Sequence, residues 1–351
     1  MFLIRNCCGF GFFVVSLQDK CFYKDKNCMA NCTKEYAAEL VAKYSDREFE
    51  KIQSIYFPPI QERSIDLGKC TKEIISLIAE TKSIKTLSPT IKKFHVSMIK
   101  ANRQGKLSPF DGWNLIKKSK ESFDNFYENR LRCSDWFKEK KGENMVHLHN
   151  GYVPDFIYGI GLTTSGKYPL VTYFKPHLAK YLCETYLSSY DTVFDPFSGY
   201  SGRMIGALCA RKNYIGRDLC EDSVMESKEI WKFMQPILSE KIKKEVSCDL
   251  GVADACTSVG EYECMLTCSP YQNLEQWKGV PSLGYSCDKW IDICLKNYDC
   301  QKYVFVTDDL IKKYVSYVVE DLENTSHWGS NIEHVVVITK EQRDELIKSI
   351  E

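Results

Sequence analysis

The segment Thr192-Val-Phe-Asp-Pro-Phe-Ser-Gly-Tyr-Ser-Gly-Arg203 carries the densest set of residues able to do chemistry. An apolar run ends in Asp195. Pro196, Phe197, Ser198 and Gly199 follow, and Gly202 leads into the amphipathic stretch Met204–Ala210. Glycines at 199 and 202 allow a sharp turn and a close approach of backbone to a ligand. Asp218 stands 19 residues after Gly199, at the end of the next apolar run. An acidic group ~20 residues beyond such a turn is placed to accept hydrogen bonds from ribose hydroxyls. Strand, glycine turn, helix, strand and terminal Asp, in that order, point to an adenosine-type cofactor. A second segment, Leu266-Thr-Cys-Ser-Pro-Tyr-Gln-Asn-Leu-Glu-Gln-Trp277, follows another apolar run. Pro270 stiffens its turn, and Tyr271 offers a flat face on which a base could stack. Taken alone, Ser-Pro-Tyr is also a common structural turn.

Together these residues resemble the DNA amino-methyltransferases, which move a methyl group from S-adenosylmethionine to an exocyclic nitrogen of adenine or cytosine. Asp195-Pro-Phe-Ser-Gly199 matches that family's first motif, Asp-Pro-Phe-x-Gly. Gly199-Tyr-Ser-Gly-Arg203 matches the Gly-x-Gly-Gly-Arg subgroup of phage and bacterial genomes in its first, fourth and fifth positions. Thr267-Cys268-Ser269-Pro270-Tyr271 stands where the family carries (Asp/Asn/Ser)-Pro-Pro-(Tyr/Phe). It departs from that pattern at Cys268, where the family has a carboxylate, amide or hydroxyl, and at Ser269, where it has Pro. A thiol accepts hydrogen bonds only weakly. Tyr173-Phe174-Lys-Pro176 fits the cofactor-contacting aromatic motif, and Val252-Ala-Asp254-Ala255 fits the acidic motif that approaches the cofactor adenine. The resemblance covers about residues 160–340; Leu107-Ser-Pro-Phe-Asp-Gly-Trp113 looks like a further element of the subgroup.

The resemblance implies S-adenosylmethionine as cofactor, no metal, and direct transfer to a base flipped out of DNA. Phe174, Asp195, Pro196, Phe197, Ser198, Gly199, Gly202, Asp218 and Asp254 would bind the cofactor. Cys268, Ser269, Pro270 and Tyr271 would be catalytic. It also implies the cytoplasm of a bacterial or phage-infected cell and leaves open a restriction nuclease as partner. Adenine against cytosine stays undecided. Methyl transfer to RNA or protein, or a catalytically impaired nucleic-acid-binding homologue, are the alternatives.

The elements that must position these residues are legible from apolar periodicity. Runs at 192–195, 214–218, 263–267, 302–306 and 334–339 alternate with stretches long enough for helices. That alternation predicts βαβ units in a doubly wound, mostly parallel Rossmann-like sheet of the α/β class, the class I methyltransferase architecture. The last run has no helical crossover before it and is expected to pair antiparallel. Residues 1–150 read as a helical, partly basic N-terminal region and 151–351 as the methyltransferase domain. Glu35–Tyr44 and Lys72–Ile84 have helical spacing, with breaks at Pro58-Pro59, Ser88-Pro89 and Ser108-Pro109. From Thr81 to Lys141 fifteen Lys and Arg stand against six Asp and Glu, an excess of nine, and aromatics interleave with them. This is either a phosphate-contacting surface or a solvated face over an aromatic core.

Composition bounds the rest. The 351 residues carry 47 Lys+Arg against 47 Asp+Glu, with 44% hydrophobic and 27% charged residues. These values exclude a disordered chain, a fibre and a multi-span membrane protein. The 17 cysteines are scattered without a Cys-x-x-Cys pair, which argues for reduced, buried thiols and against a zinc site. Met1–Leu17 is apolar but too short to span a bilayer. A signal peptide, a buried strand, or a true start at Met29 would each account for it.

Overall fold

The computed structural model describes residues 34–56, 58, 65–79, 90–103, 105–132, 168, 171, 173–268, 270, 275–276, 283–307, 311–322 and 332–350. In chain order the helices are α1 (Lys34–Gln53), α2 (Leu67–Ala79), α3 (Pro109–Lys118), α4 (Lys120–Arg132), α5 (Pro176–Tyr186), α6 (Gly202–Cys209), α7 (Glu221–Lys241), α8 (Cys287–Asn297) and α9 (Lys340–Ile350). The strands are β1 (Asn102–Arg103), β2 (Thr192–Asp195), β3 (Asn213–Asp218), β4 (Cys248–Val252), β5 (Gly260–Cys268), β6 (Glu275–Gln276), β7 (Tyr298–Thr307), β8 (Val318–Leu322) and β9 (Glu333–Thr339). The short β1 and β6 pair antiparallel with each other.

The other seven strands form one sheet in the order β4-β3-β2-β5-β7-β9-β8. Its first five strands run parallel, and β9 pairs antiparallel with both β7 and β8. This is the predicted doubly wound, mostly parallel α/β sheet, with its last strand reversed as the missing crossover requires. Strand alternation sends successive side chains to opposite faces. Val193, Cys264, Leu266, Val304 and Val306 enter one core with α5, α6 and α7. Phe194, Met265, Tyr303 and Phe305 enter the other with α8. Residues Cys264–Thr267 are buried in succession, as expected of a central parallel strand covered on both faces. Chain order reverses between β2 and β5, so the carboxyl ends of β2, β3 and β5 meet at the switch point where such sheets bind ligands.

The chain divides into two compact units, Met1–Gln53 with Ser119–Pro154, and Ser54–Lys118 with Asp155–Glu351. Residues 54–118 therefore group with the sheet, and the boundary does not follow the expected 1–150 and 151–351 division. In the smaller unit α1 and α4 pack through Phe49 and Phe123, 5.5 Å apart, and Lys120 donates to Ser45 and Asp124, each at 2.6 Å. In the larger unit Pro109 is the first residue of α3, and the Ser108 hydroxyl accepts the Asp111 N–H at 3.0 Å. The break expected at Ser108-Pro109 is a helix start, where Pro loses no hydrogen bond. No helix among the described residues is long and apolar enough to cross a membrane. Residues 1–33, with the apolar N-terminal run and Met29, lie outside the described residues.

Gly202 and Gly206, four residues apart on one face of α6, meet the chain at Phe174 and the first turn of α5 respectively. A Cβ on Gly206 would lie 2.4 Å from the Pro176 carbonyl oxygen and 2.5 Å from Ala179 Cβ. Both neighbours are rigid, so Gly206→Ala must push the helices apart. The expected cost is about 1–3 kcal/mol, read as a lower urea midpoint at unchanged slope. An unchanged midpoint would show that the helices separate freely.

Candidate active site

Asp195 ends β2 with its carboxylate fully buried. One oxygen accepts from Arg203 Nε at 2.7 Å and from the Tyr214 hydroxyl at 2.7 Å. The other accepts from the Thr267 hydroxyl at 2.7 Å and from the Phe197 N–H at 3.2 Å. Those four donors come from α6, β3, β5 and the turn itself. Four donors fill the usual acceptor positions of a carboxylate, so Asp195 is taken up by the protein and positions the turn. Arg203 also donates to the Phe197 carbonyl, and its guanidinium sits 5.0 Å from the centre of the Phe174 ring. Burial, then the carboxylate beside it, pushes the Tyr214 phenol well above its ordinary value and keeps it a donor.

The turn itself is held at both ends. Gly199 has φ +54°, the left-handed region that favours glycine, and the nearest atom to a Cβ there would be 3.7 Å away. Its N–H donates to Asp218 at 2.8 Å, and the other Asp218 oxygen accepts the Cys220 N–H at 2.8 Å. Each oxygen of Asp218 keeps a further acceptor position, and the residue is half-buried at the mouth of the sheet. Burial pushes its carboxyl above the usual range, against the two backbone N–H bonds that lower it. Gly202 behaves differently from the sequence expectation. A Cβ there would lie 1.9 Å from the Phe174 carbonyl oxygen, so the space a side chain would take is filled by the chain at 174. Ser201, which precedes it, also has a left-handed φ of +64°, a conformation costing roughly 1–2 kcal/mol in a non-glycine residue.

The remaining predicted residues fall around the same strand ends. Pro196 and Ser198 are buried, and the Ser198 N–H donates to the Arg217 carbonyl at 2.8 Å. The Asp254 carboxylate accepts the Cys256 N–H at 2.9 Å and shapes the loop after β4. Phe197 meets the edge of Trp290 at 5.0 Å, and Tyr285 lies 5.2 Å from the same indole. Trp290 is 7% exposed and its indole N–H has no partner among the described residues. Cys268 is half-buried at the end of β5. Pro270 is half-buried, while Ser269 and Tyr271 lie outside the described residues. Sequence reasoning did not single out Tyr214, Thr267 or Trp290 as site residues. Tyr214 was visible only as a member of a strand, Thr267 only as the residue that opens the Cys268-Ser-Pro-Tyr271 segment, and Trp290 sits on a helix with no local motif.

An adenosine-type group is compatible with this set. The left-handed turn at Gly199, the remaining acceptor positions of Asp218, and the buried indole N–H with its aromatic neighbours suit a ribose and a flat base.

No family model matches the chain, and no curated protein does. Several solved structures share a distant likeness. One is yhhF of Escherichia coli, provisionally described as a methyltransferase (8% identical, TM-score 0.31, 46% of this chain and 86% of that one). Another is PH1948 of Pyrococcus horikoshii, provisionally described as an RNA methyltransferase (12%, 0.31, 47% and 81%). A third is TrmN of Thermus thermophilus (14%, 0.30, 47% and 48%). At these values the likeness carries no function to this chain, and the fold class rests on the sheet order.

Arg203→Met leaves the Asp195 carboxylate buried beside hydroxyl and amide donors only. Removing one partner of a buried pair costs about 3–5 kcal/mol. Urea unfolding at neutral pH should show that loss, and Asp195→Asn with Arg203→Met should recover part of it. A loss under about 1 kcal/mol, as for a surface pair, would contradict the central role of this pair.

Proposed function

We propose that this protein is an S-adenosylmethionine-dependent methyltransferase acting on an exocyclic amino group of adenine or cytosine in DNA. One observation supports the reading most: the Asp195–Gly199 turn, the Asp218 carboxylate and the Cys268-x-Pro270 segment stand at the carboxyl ends of neighbouring parallel strands, with Gly199 and Asp218 joined at 2.8 Å. S-adenosylmethionine supplies an electrophilic methyl group on a sulfonium. The chain's own residues bind and orient. Asp218 accepts the ribose hydroxyls, Phe197 and Trp290 face the adenine, and Asp254 shapes the loop beside it. Tyr271 stacks on the flipped base. The main-chain carbonyl of Ser269 accepts an N–H from its amino group, and Cys268 contributes only weakly as an acceptor. Alignment of amino nitrogen and methyl carbon supplies most of the rate.

Labelled S-adenosylmethionine offered with duplex DNA, duplex RNA and protein separates this reading from its alternatives. Label in DNA adenine or cytosine is expected. Label in RNA or protein alone replaces the substrate, and label in none of the three overturns the activity. Asp218→Asn removes a charge-assisted acceptor, a loss of about 1.5–3 kcal/mol and so tenfold or more in cofactor affinity. Because burial raises the Asp218 carboxyl, affinity of the parent should fall with acidification at a higher pH than an ordinary Asp would dictate. In Asp218→Asn that step should vanish. Calorimetry across the acidic range reads both.

The basic segment is part of the DNA reading, though not all of its residues are available to a phosphate. Trp113, Phe123 and Tyr127 are fully buried, so these aromatics are core. Lys117 donates to the Ile55 carbonyl at 2.8 Å, and burial lowers its pKa. Lys106 and Lys118 are exposed and Lys93 half-buried. Reversing the charge at these three should weaken DNA binding and flatten its salt dependence, by ~0.9 for each phosphate no longer neutralised. An unchanged slope would mark this face as merely solvated.

A further inference from the structure

A buried polar chain runs behind the proposed cofactor turn and, apart from the Gly199 carbonyl on which it ends, uses none of the residues assigned above. His95 is fully buried in the segment before α3. Its Nε2 lies 3.0 Å from the Ser201 hydroxyl, and its Nδ1 lies 3.1 Å from Glu226 on α7. Glu226 is anchored in turn by the Ser97 N–H at 2.9 Å and by the Ser97 hydroxyl. The Ser201 hydroxyl bonds Ser227 at 2.6 Å, Ser227 donates to the Ser223 carbonyl at 2.8 Å, and the Ser223 hydroxyl donates to the Gly199 carbonyl. Positions 223, 226 and 227 share one face of α7. That face and His95 therefore grip the turn at Gly199 and at Ser201.

Ser201 needs such a grip. It is the residue before α6, where a serine hydroxyl ordinarily caps the helix. Here it makes no cap bond and its φ is +64°. A strained non-glycine residue persists only where its surroundings over-determine it. Tyr200, whose ring meets the His95 ring edge-on at 5.3 Å, closes the site from the other side.

We propose that His95, anchored by Glu226, is a positioning residue that holds Ser201 left-handed and thereby presets the Gly199–Gly202 turn for its ligand. This rests on the reading of that turn as the S-adenosylmethionine site, and the test separates the two. Three variants suffice: His95→Leu, Ser201→Gly, and the pair together. Glycine adopts a positive φ without strain, so it removes the need for the grip. His95→Leu should raise the Kd for S-adenosylmethionine tenfold or more and speed amide exchange in residues 197–205. Adding Ser201→Gly should restore most of the affinity and slow the exchange again. A purely structural role for His95 would lower the melting temperature of both variants alike and give no such rescue.

Parent-like affinity in folded His95→Leu, or a double variant as weak as His95→Leu, overturns the proposal. Should His95→Leu fail to fold, Glu226→Gln keeps the volume while weakening the anchor, and its rescue by Ser201→Gly decides the same question. If the parent binds no S-adenosylmethionine, the cofactor reading falls, and the exchange measurements on the bare protein still decide the positioning role. The Ser–His–Glu connectivity is that of a nucleophile relay, but Ser201 is 1% exposed. Labelling of Ser201 by a fluorophosphonate would contradict a role confined to positioning.

Discussion

The contact on which the rest of the site depends is the buried pair of Asp195 and Arg203. It ties the end of β2 to the first turn of α6 at 2.7 Å, across the turn that carries Gly199. A buried ion pair repays its desolvation only when the remaining lone pairs and protons are also satisfied. Here Tyr214 from β3 and Thr267 from β5 complete the carboxylate, and the Phe197 carbonyl and Phe174 ring complete the guanidinium. The network therefore ties three neighbouring strands and one helix together. That rigidity lets a short turn present Gly199 to Asp218 with both oxygens already oriented.

Two layers then divide the labour. The inner layer, around Asp195, is saturated and faces the protein. The outer layer, with Asp218, Phe197 and Trp290, keeps acceptor positions, ring edges and an indole N–H for a ligand. The Asp of Asp-Pro-Phe-x-Gly is thus taken up within the protein and organises the turn, while the ligand contact we propose falls to the Asp at the next strand end.

The strand–turn–helix–strand unit at 192–218 was legible because its logic is local: apolar run, turn glycine, amphipathic run, terminal acid. The reversed last strand followed from the missing crossover. Strands β4 and β8 were not legible. Cys248–Val252 and Val318–Leu322 are edge strands with one buried residue each, Leu250 and Leu322, so neither shows an apolar run. The helix Lys34–Gln53 extends beyond the periodic stretch read at 35–44, carried by packing on α4 through Phe49. Gly202 was legible as a glycine in a turn, but its close approach to the Phe174 carbonyl was not, because residue 174 lies 28 positions earlier. The grouping of 54–118 with the sheet had no signal beyond the likeness of Leu107–Trp113 to the same subgroup. It depends on pairs such as His95 with Ser201 and Glu226, 106 and 131 residues apart, which no window along the chain can see.

The most direct test of the account is a crystal structure with S-adenosylhomocysteine, the product that the proposed reaction leaves behind. The ribose hydroxyls should lie within hydrogen-bond distance of the Asp218 carboxylate, with the adenine against Phe197 and Trp290 and the Asp195–Arg203 pair unchanged. Ligand bound away from the carboxyl ends of β2 and β3, or no binding at saturating concentration in a folded protein, would contradict it.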